Sequence, residues 1–119
     1  MYENQIVIID NGSSTIKAGF AGEDAPRAVF PTIVGRPYEH FMLSNVDFFK
    51  QFFKKSEYIG DEAIVKRRYL NICHPINAGI VESWEDMENI WYHTFYNELR
   101  HKPEEADGVI IIEPPLLPN

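Results

Sequence analysis

Residues 10–17, Asp-Asn-Gly-Ser-Ser-Thr-Ile-Lys, set one carboxylate, three hydroxyls and one ammonium around a glycine turn. Asn-Gly is a strong hairpin signal, so Asp10 closes one strand and Lys17 lies on the strand that returns. Consecutive backbone N–H groups in such a turn form an anion-binding concavity, and Ser13 adds a hydroxyl that reaches a phosphate oxygen. Thr15 and Lys17 are two residues apart on a strand, so they share a face. One carboxylate at Asp10, ending a buried strand, suits Mg²⁺, which usually keeps several of its waters. The chemistry is phosphate binding beside a hydrated divalent ion. An ordinary hairpin with an exposed polar turn uses the same residues, and both readings stand on spacing alone.

Other reactive side chains carry less. His40, His74, His93 and His101 lack paired metal-ligand spacing with a carboxylate or cysteine and read as surface or packing histidines. Cys73 reads as a small core residue. A single cysteine builds neither an internal disulfide framework nor a thiolate metal cluster, which points to a reducing, intracellular setting. Phe48, Phe49, Phe52 and Phe53 recur at helical spacing after the capping-box pattern Ser44-Asn45-Val46-Asp47. Residues 45–55 therefore read as a short amphipathic helix. Its Phe face is either a partner contact or the core of its own small subdomain.

The elements that position these residues follow from local pattern. Ile6-Val7-Ile8-Ile9 reads as a strand buried on both faces, residues 15–20 as its return strand and residues 27–31 as a third. Gly60-Asp61-Glu62-Ala63 opens a short helical turn, and residues 69–73 form a strand. Ser83-Trp84-Glu85-Asp86 is a second capping box. Met87, Ile90, Trp91, Thr94, Phe95 and Leu99 then make one apolar stripe, read as core, on a helix that Pro103 stops. Glu85, Asp86, Glu88, Glu104 and Glu105 read as a solvated face, able also to meet basic partners. Residues 109–112 read as another buried strand. Antiparallel pairing at the start, then a helix and a strand, is α/β.

The chain has 119 residues, 45% of them hydrophobic, which fits one globular domain. Lys plus Arg number 11 against 18 for Asp plus Glu, a formal net charge of -7 that disfavours a nucleic-acid backbone as partner. The apolar run at residues 6–9 is too short for a signal peptide or a membrane span, and a membrane-surface role fits poorly with so acidic a chain.

Longer runs carry a resemblance. Asp10-Asn11-Gly12-Ser13, Lys17-Ala18-Gly19-Phe20-Ala21-Gly22 and Asp24-Ala25-Pro26-Arg27-Ala28-Val29-Phe30-Pro31 resemble the opening of the actin family nearly residue for residue. So do Ile33-Val34-Gly35-Arg36-Pro37, Gly60-Asp61-Glu62-Ala63 and Gly79-Ile80-Val81, and Trp91 followed by His93-Thr94-Phe95-Tyr96-Asn97-Glu98-Leu99-Arg100. The resemblance spans essentially the whole chain and roughly the first third of a family member. It implies the α/β ribonuclease-H-like fold shared by actin, sugar kinases and chaperone ATPases, here cut short. The implied parts are first-subdomain strands with a phosphate hairpin (1–31), a small second subdomain with the Phe-rich insert (32–74), and first-subdomain helix and strand (75–119). The truncation leads us to expect a marginally stable or aggregation-prone isolated chain.

The resemblance further implies that Gly12, Ser13, Ser14, Thr15 and Lys17 hold the phosphates of ATP or ADP, with Asp10 near Mg²⁺ through water. No catalytic residue is implied, because the groups that orient an attacking water come from later sequence; the chain alone is not expected to be an ATPase, whereas a full-length parent is a weak one. Two positions depart from the family. Ser14 stands where glycine is usual, which costs energy if that position needs positive φ or else adds a donor. Ala78 stands where a histidine near the phosphates is usual. The implied setting is cytoplasmic and cytoskeletal, with other actin-like subunits and actin-binding proteins as partners and neither nucleic acid nor membrane. Filament assembly is the first expectation. A dynactin-like or chromatin-remodelling complex subunit, or a non-catalytic adaptor binding through Phe48, Phe49, Phe52 and Phe53, are the others; the insert is longer and richer in Phe than the usual actin loop and argues for a divergent member.

Overall fold

A computed structural model describes residues 5–39 and 51–112. In chain order its strands are β1 (Ile6–Asn11), β2 (Thr15–Phe20), β3 (Ala28–Pro31), β4 (Val34–Pro37), β5 (Tyr58–Ile59), β6 (Leu70–Cys73), β7 (Ile76–Asn77), β8 (Ile80–Val81) and β9 (Gly108–Ile112). Among the described residues its complete α-helices are α1 (Asp61–Val65) and α2 (Trp84–His93). They form a four-stranded sheet ordered β3-β2-β1-β9, a three-stranded sheet ordered β5-β4-β6, and the β7-β8 hairpin.

In the larger sheet β1 runs antiparallel to β2, with Asp10 opposite Lys17, and parallel to β9. The alternation predicted for a one-sided strand wins over the continuous apolar run: Val7, Ile9 and Asn11 are buried while Ile6, Ile8 and Asp10 are half-buried. So β1 is not buried on both faces. α2 covers the buried face, where Met87, Ile90, Phe95 and Leu99 meet Val7, Ile9, Ile16 and Ala18. Ser83 caps α2 by accepting from the Asp86 N–H at 3.2 Å, as its capping-box position requires. The stripe is core, as its period demands.

Three further expectations change. β9 is a strand, but Val109, Ile110, Ile111 and Ile112 are 41–49% exposed among the described residues, so it is not a buried one. α2 continues as wide π turns over Thr94–Leu99 and ends at Arg100, which takes a left-handed conformation; Pro103 only opens a later 3-10 turn. The left-handed residue lets the His101 N–H reach back to the Phe95 carbonyl at 2.9 Å, and that ends the helix. Asp86 is buried, not part of a solvated face, because Arg36 of β4 reaches it.

The smaller sheet builds its own core from Ile33, Phe53, Tyr58, Ala63 and Leu70. Gln51 and Phe52 are helical and residues 53–55 are not; residues 45–50 of the expected helix lie outside the described residues. Phe53 is only 7% exposed. Phe52 and Phe53 lie edge-on to each other at 4.8 Å, and both rings pack against Tyr69. Phe53 thus belongs to the local core, and the half-buried Phe52 packs against it. Phe48 and Phe49 lie outside the described residues.

Candidate functional site

The tip between β1 and β2 is a tight closure. The Gly12 N–H donates to the Thr15 carbonyl at 3.0 Å, and a Cβ at Gly12 would stand 2.6 Å from that oxygen. Only glycine fits. The same bond removes the Gly12 N–H from any anion cradle. The Ser13 and Ser14 N–H groups have no hydrogen-bond partner among the described residues, so the concavity is built from those two.

Three other elements pin the tip. Thr32, fully buried just after β3, donates its hydroxyl to the Gly12 carbonyl at 2.8 Å and its N–H to the Ser14 carbonyl at 3.0 Å. Trp91 of α2 donates its indole N–H to Asn11 Oδ1 at 3.1 Å. The Gly79 N–H donates to Ser13 Oγ at 3.2 Å, which ties the tip to the β7-β8 turn and leaves the Ser13 hydroxyl proton for another acceptor. Thr32, Trp91 and Gly79 do not emerge as site residues from sequence pattern. A threonine directly after the proline that ends β3 was the available signal for the first.

Ser14 is exposed and is not among the residues with positive φ. The usual glycine is thus not required there by backbone conformation, and the serine keeps its hydroxyl as a donor. Strain sits instead at Ala78, whose φ of 49° is followed by 78° at Gly79. Two left-handed residues close β7 onto β8 in a two-residue loop, the geometry of a type I′ turn. Alanine fills a position that favours asparagine or glycine.

Asp10 and Lys17 are direct cross-strand partners, a placement that sets their Cβ atoms about 4.5–5.5 Å apart on one face. No ion pair joins them among the described residues. Both line a cavity of about 250 Å³, with Ile8, Gly19, Asp24 and Ile112 among its other walls. Lys17 is exposed and Thr15 half-buried. The assembled donor set is two backbone N–H groups, the hydroxyls of Ser13 and Ser14, and one ammonium, all hydrogen-bond partners for a phosphoryl oxygen. The acceptor is one carboxylate, which fits an ion that retains its water; no cluster of three or more His, Cys, Asp or Glu able to hold a metal occurs among the described residues.

His74, His93 and His101 stay out of this site. His93 meets Asn97 at 3.0 Å and Glu98 at 3.3 Å and stands edge-on to Phe30; His101 stands edge-on to Phe20; His74 is exposed. His40 lies outside the described residues. Cys73 is half-buried on β6. The family model that matches this chain is described as Actin, and it matches residues 1–119.

Proposed function

The chain belongs to the actin family, and from that premise we propose that its β1-β2 tip holds the phosphates of ATP or ADP. The observation that carries the reading is the tip pinned by Thr32, Trp91 and Gly79, with the Ser13 and Ser14 N–H groups left over. A loop fixed before its ligand arrives loses little freedom on binding. Ser13, Ser14 and Lys17 donate to phosphate oxygens, Thr15 shares the Lys17 face, and Gly12 makes the turn tight enough to aim the next two N–H groups. Asp10 receives a hydrated Mg²⁺, whose charge offsets that of the phosphates when it is bound.

No catalytic residue is assigned. Family membership supports the wider reading, a cytoplasmic, cytoskeletal protein that assembles with other actin-like subunits into filaments or actin-containing complexes and meets actin-binding proteins. Titration of a fluorescent ATP analogue in Mg²⁺ tests the site. Lys17→Met removes a charge-assisted donor and is expected to weaken binding about 10-fold or more. Absent binding by the unaltered protein, or equal binding by the variant, ends the reading.

A further inference from the structure

We propose that Arg36 is a charge clamp that holds the smaller sheet against α2, and that its loss turns the contact from attraction to repulsion. Arg36 stands on β4, and its Nη2 bonds Glu57 Oε2 and Asp86 Oδ1, each at 2.5 Å. Glu57 directly precedes β5, so the guanidinium also closes the base of the segment between β4 and β5. Asp86 lies in the first turn of α2, with its side chain only 10% exposed.

Because one nitrogen touches both carboxylate oxygens, those oxygens lie no more than twice 2.5 Å apart. Two carboxylates that close repel unless a cation stands between them. Hydrogen bonding to Asp86, ahead of the other influences, drives the Arg36 guanidinium above its ordinary range. One neutral tie accompanies the clamp: Asn89 of α2 donates to Glu57 Oε2 at 3.0 Å.

Among the described residues the smaller sheet joins the rest of the chain by 31–34, which lead in from β3, and by 73–76, which lead out to the β7-β8 hairpin, so non-covalent contacts set how the smaller sheet sits. Val34 of β4 and Ile59 of β5 add apolar ones: Val34 is fully buried in the larger core and Ile59 packs against it. Beside the clamp a cleft of about 440 Å³ separates α2 from the segment before β5, with Lys54, Ser56, Asn89, Tyr92 and Asn97 on its walls. Release of Arg36 sets Glu57 and Asp86, on opposite sides of this boundary, against each other and widens the cleft. Deleting a neutral hydrogen bond would only loosen it.

Amide hydrogen exchange on the whole protein distinguishes these. Arg36→Gln should exchange about 10-fold faster over residues 58–73 with residues 6–20 unchanged. The triple variant R36Q/E57Q/D86N carries no charge at the clamp and should return to within about 3-fold of the parent. If Arg36→Gln does not fold, the triple variant is expected to restore folding. Unchanged exchange in Arg36→Gln, equal acceleration over residues 6–20, or a triple variant as fast or as poorly folded as the single one overturns the clamp.

Discussion

The two sheets bury their interiors by different means. On the larger sheet Val7, Ile9, Ile16, Met87 and Ile90 are all 0% exposed, and mainly aliphatic packing against one helix, with Phe30 and Phe95 among it, closes the face. The smaller sheet has three strands, one of only two residues, and a sheet this small needs a packed apolar face to be stable. It recruits rings: Phe52, Phe53, Tyr58 and Tyr69 surround a core of few aliphatics, since aromatic side chains bury the most area per residue. The Lys66 ammonium lies 4.6 Å from the Phe52 ring centre and 4.5 Å from that of Tyr58, and also donates to the Phe52 carbonyl at 2.9 Å. Aliphatic closure gives a platform on which the β1-β2 tip is held by three hydrogen-bonded neighbours. Ring packing and a shared guanidinium give a lobe whose seat depends on charge.

The largest expected effect separates the two interiors. Phe53→Ala should cost about 3–5 kcal/mol, as Phe-to-Ala changes in packed cores do, with exchange protection lost over β4, β5 and β6 and kept over β1 and β2. Equal loss in both sheets would mean one core, not two. Next comes the tie between α2 and the tip. Trp91→Phe leaves the amide oxygen of Asn11, a residue 3% exposed, without its indole donor, at about 1–3 kcal/mol in a denaturant titration. A change below a few tenths would show that this tie is not part of the platform's rigidity. The smallest effect has the opposite sign. Ala78→Asn suits the left-handed turn and should add up to about 1 kcal/mol, raising the melting temperature; a loss would place the strain elsewhere than in the Ala78 backbone.

What pattern revealed and what it did not divide by range. The tip, β2 and the buried face of α2 are written locally, in an Asn-Gly turn and in apolar residues at a helical period, and the structure keeps them. β7 and β8 escape notice because their turn is Ala-Gly, and β4 and β5 are too short or too glycine-rich to alternate. Asp86 reads as a helix-start acid in water because Arg36, 50 residues away, is invisible to any local window. Residues 109–112 look buried because a β-branched run encodes strand and not what covers it. Among the candidate site residues, Gly12, Ser13, Ser14, Thr15 and Lys17 are set together by one hairpin, so local spacing is enough to group them, while the family resemblance gives them their proposed role. The residues that pin the hairpin come from β3's end, α2 and the β7-β8 turn, and only the fold brings those to it.

The pairing of β1 with β9 bears on how the chain comes together in time. Gln5 and Asp107, 102 residues apart, are joined at the start of this ladder by two bonds, the Gln5 N–H to the Asp107 carboxylate and the Asp107 N–H to the Gln5 carbonyl. Closing so long a loop costs entropy before any contact repays it, and non-local pairing slows folding. The β1-β2 pairing joins sequence neighbours and needs only residues up to 20, whereas the outer edge of β1 waits for nearly the whole of residues 5–112 to be made. Through that interval β1 presents an open strand edge, which other chains can pair with. The β1-β2 pairing is thus available early in synthesis, and the strand that flanks it only late.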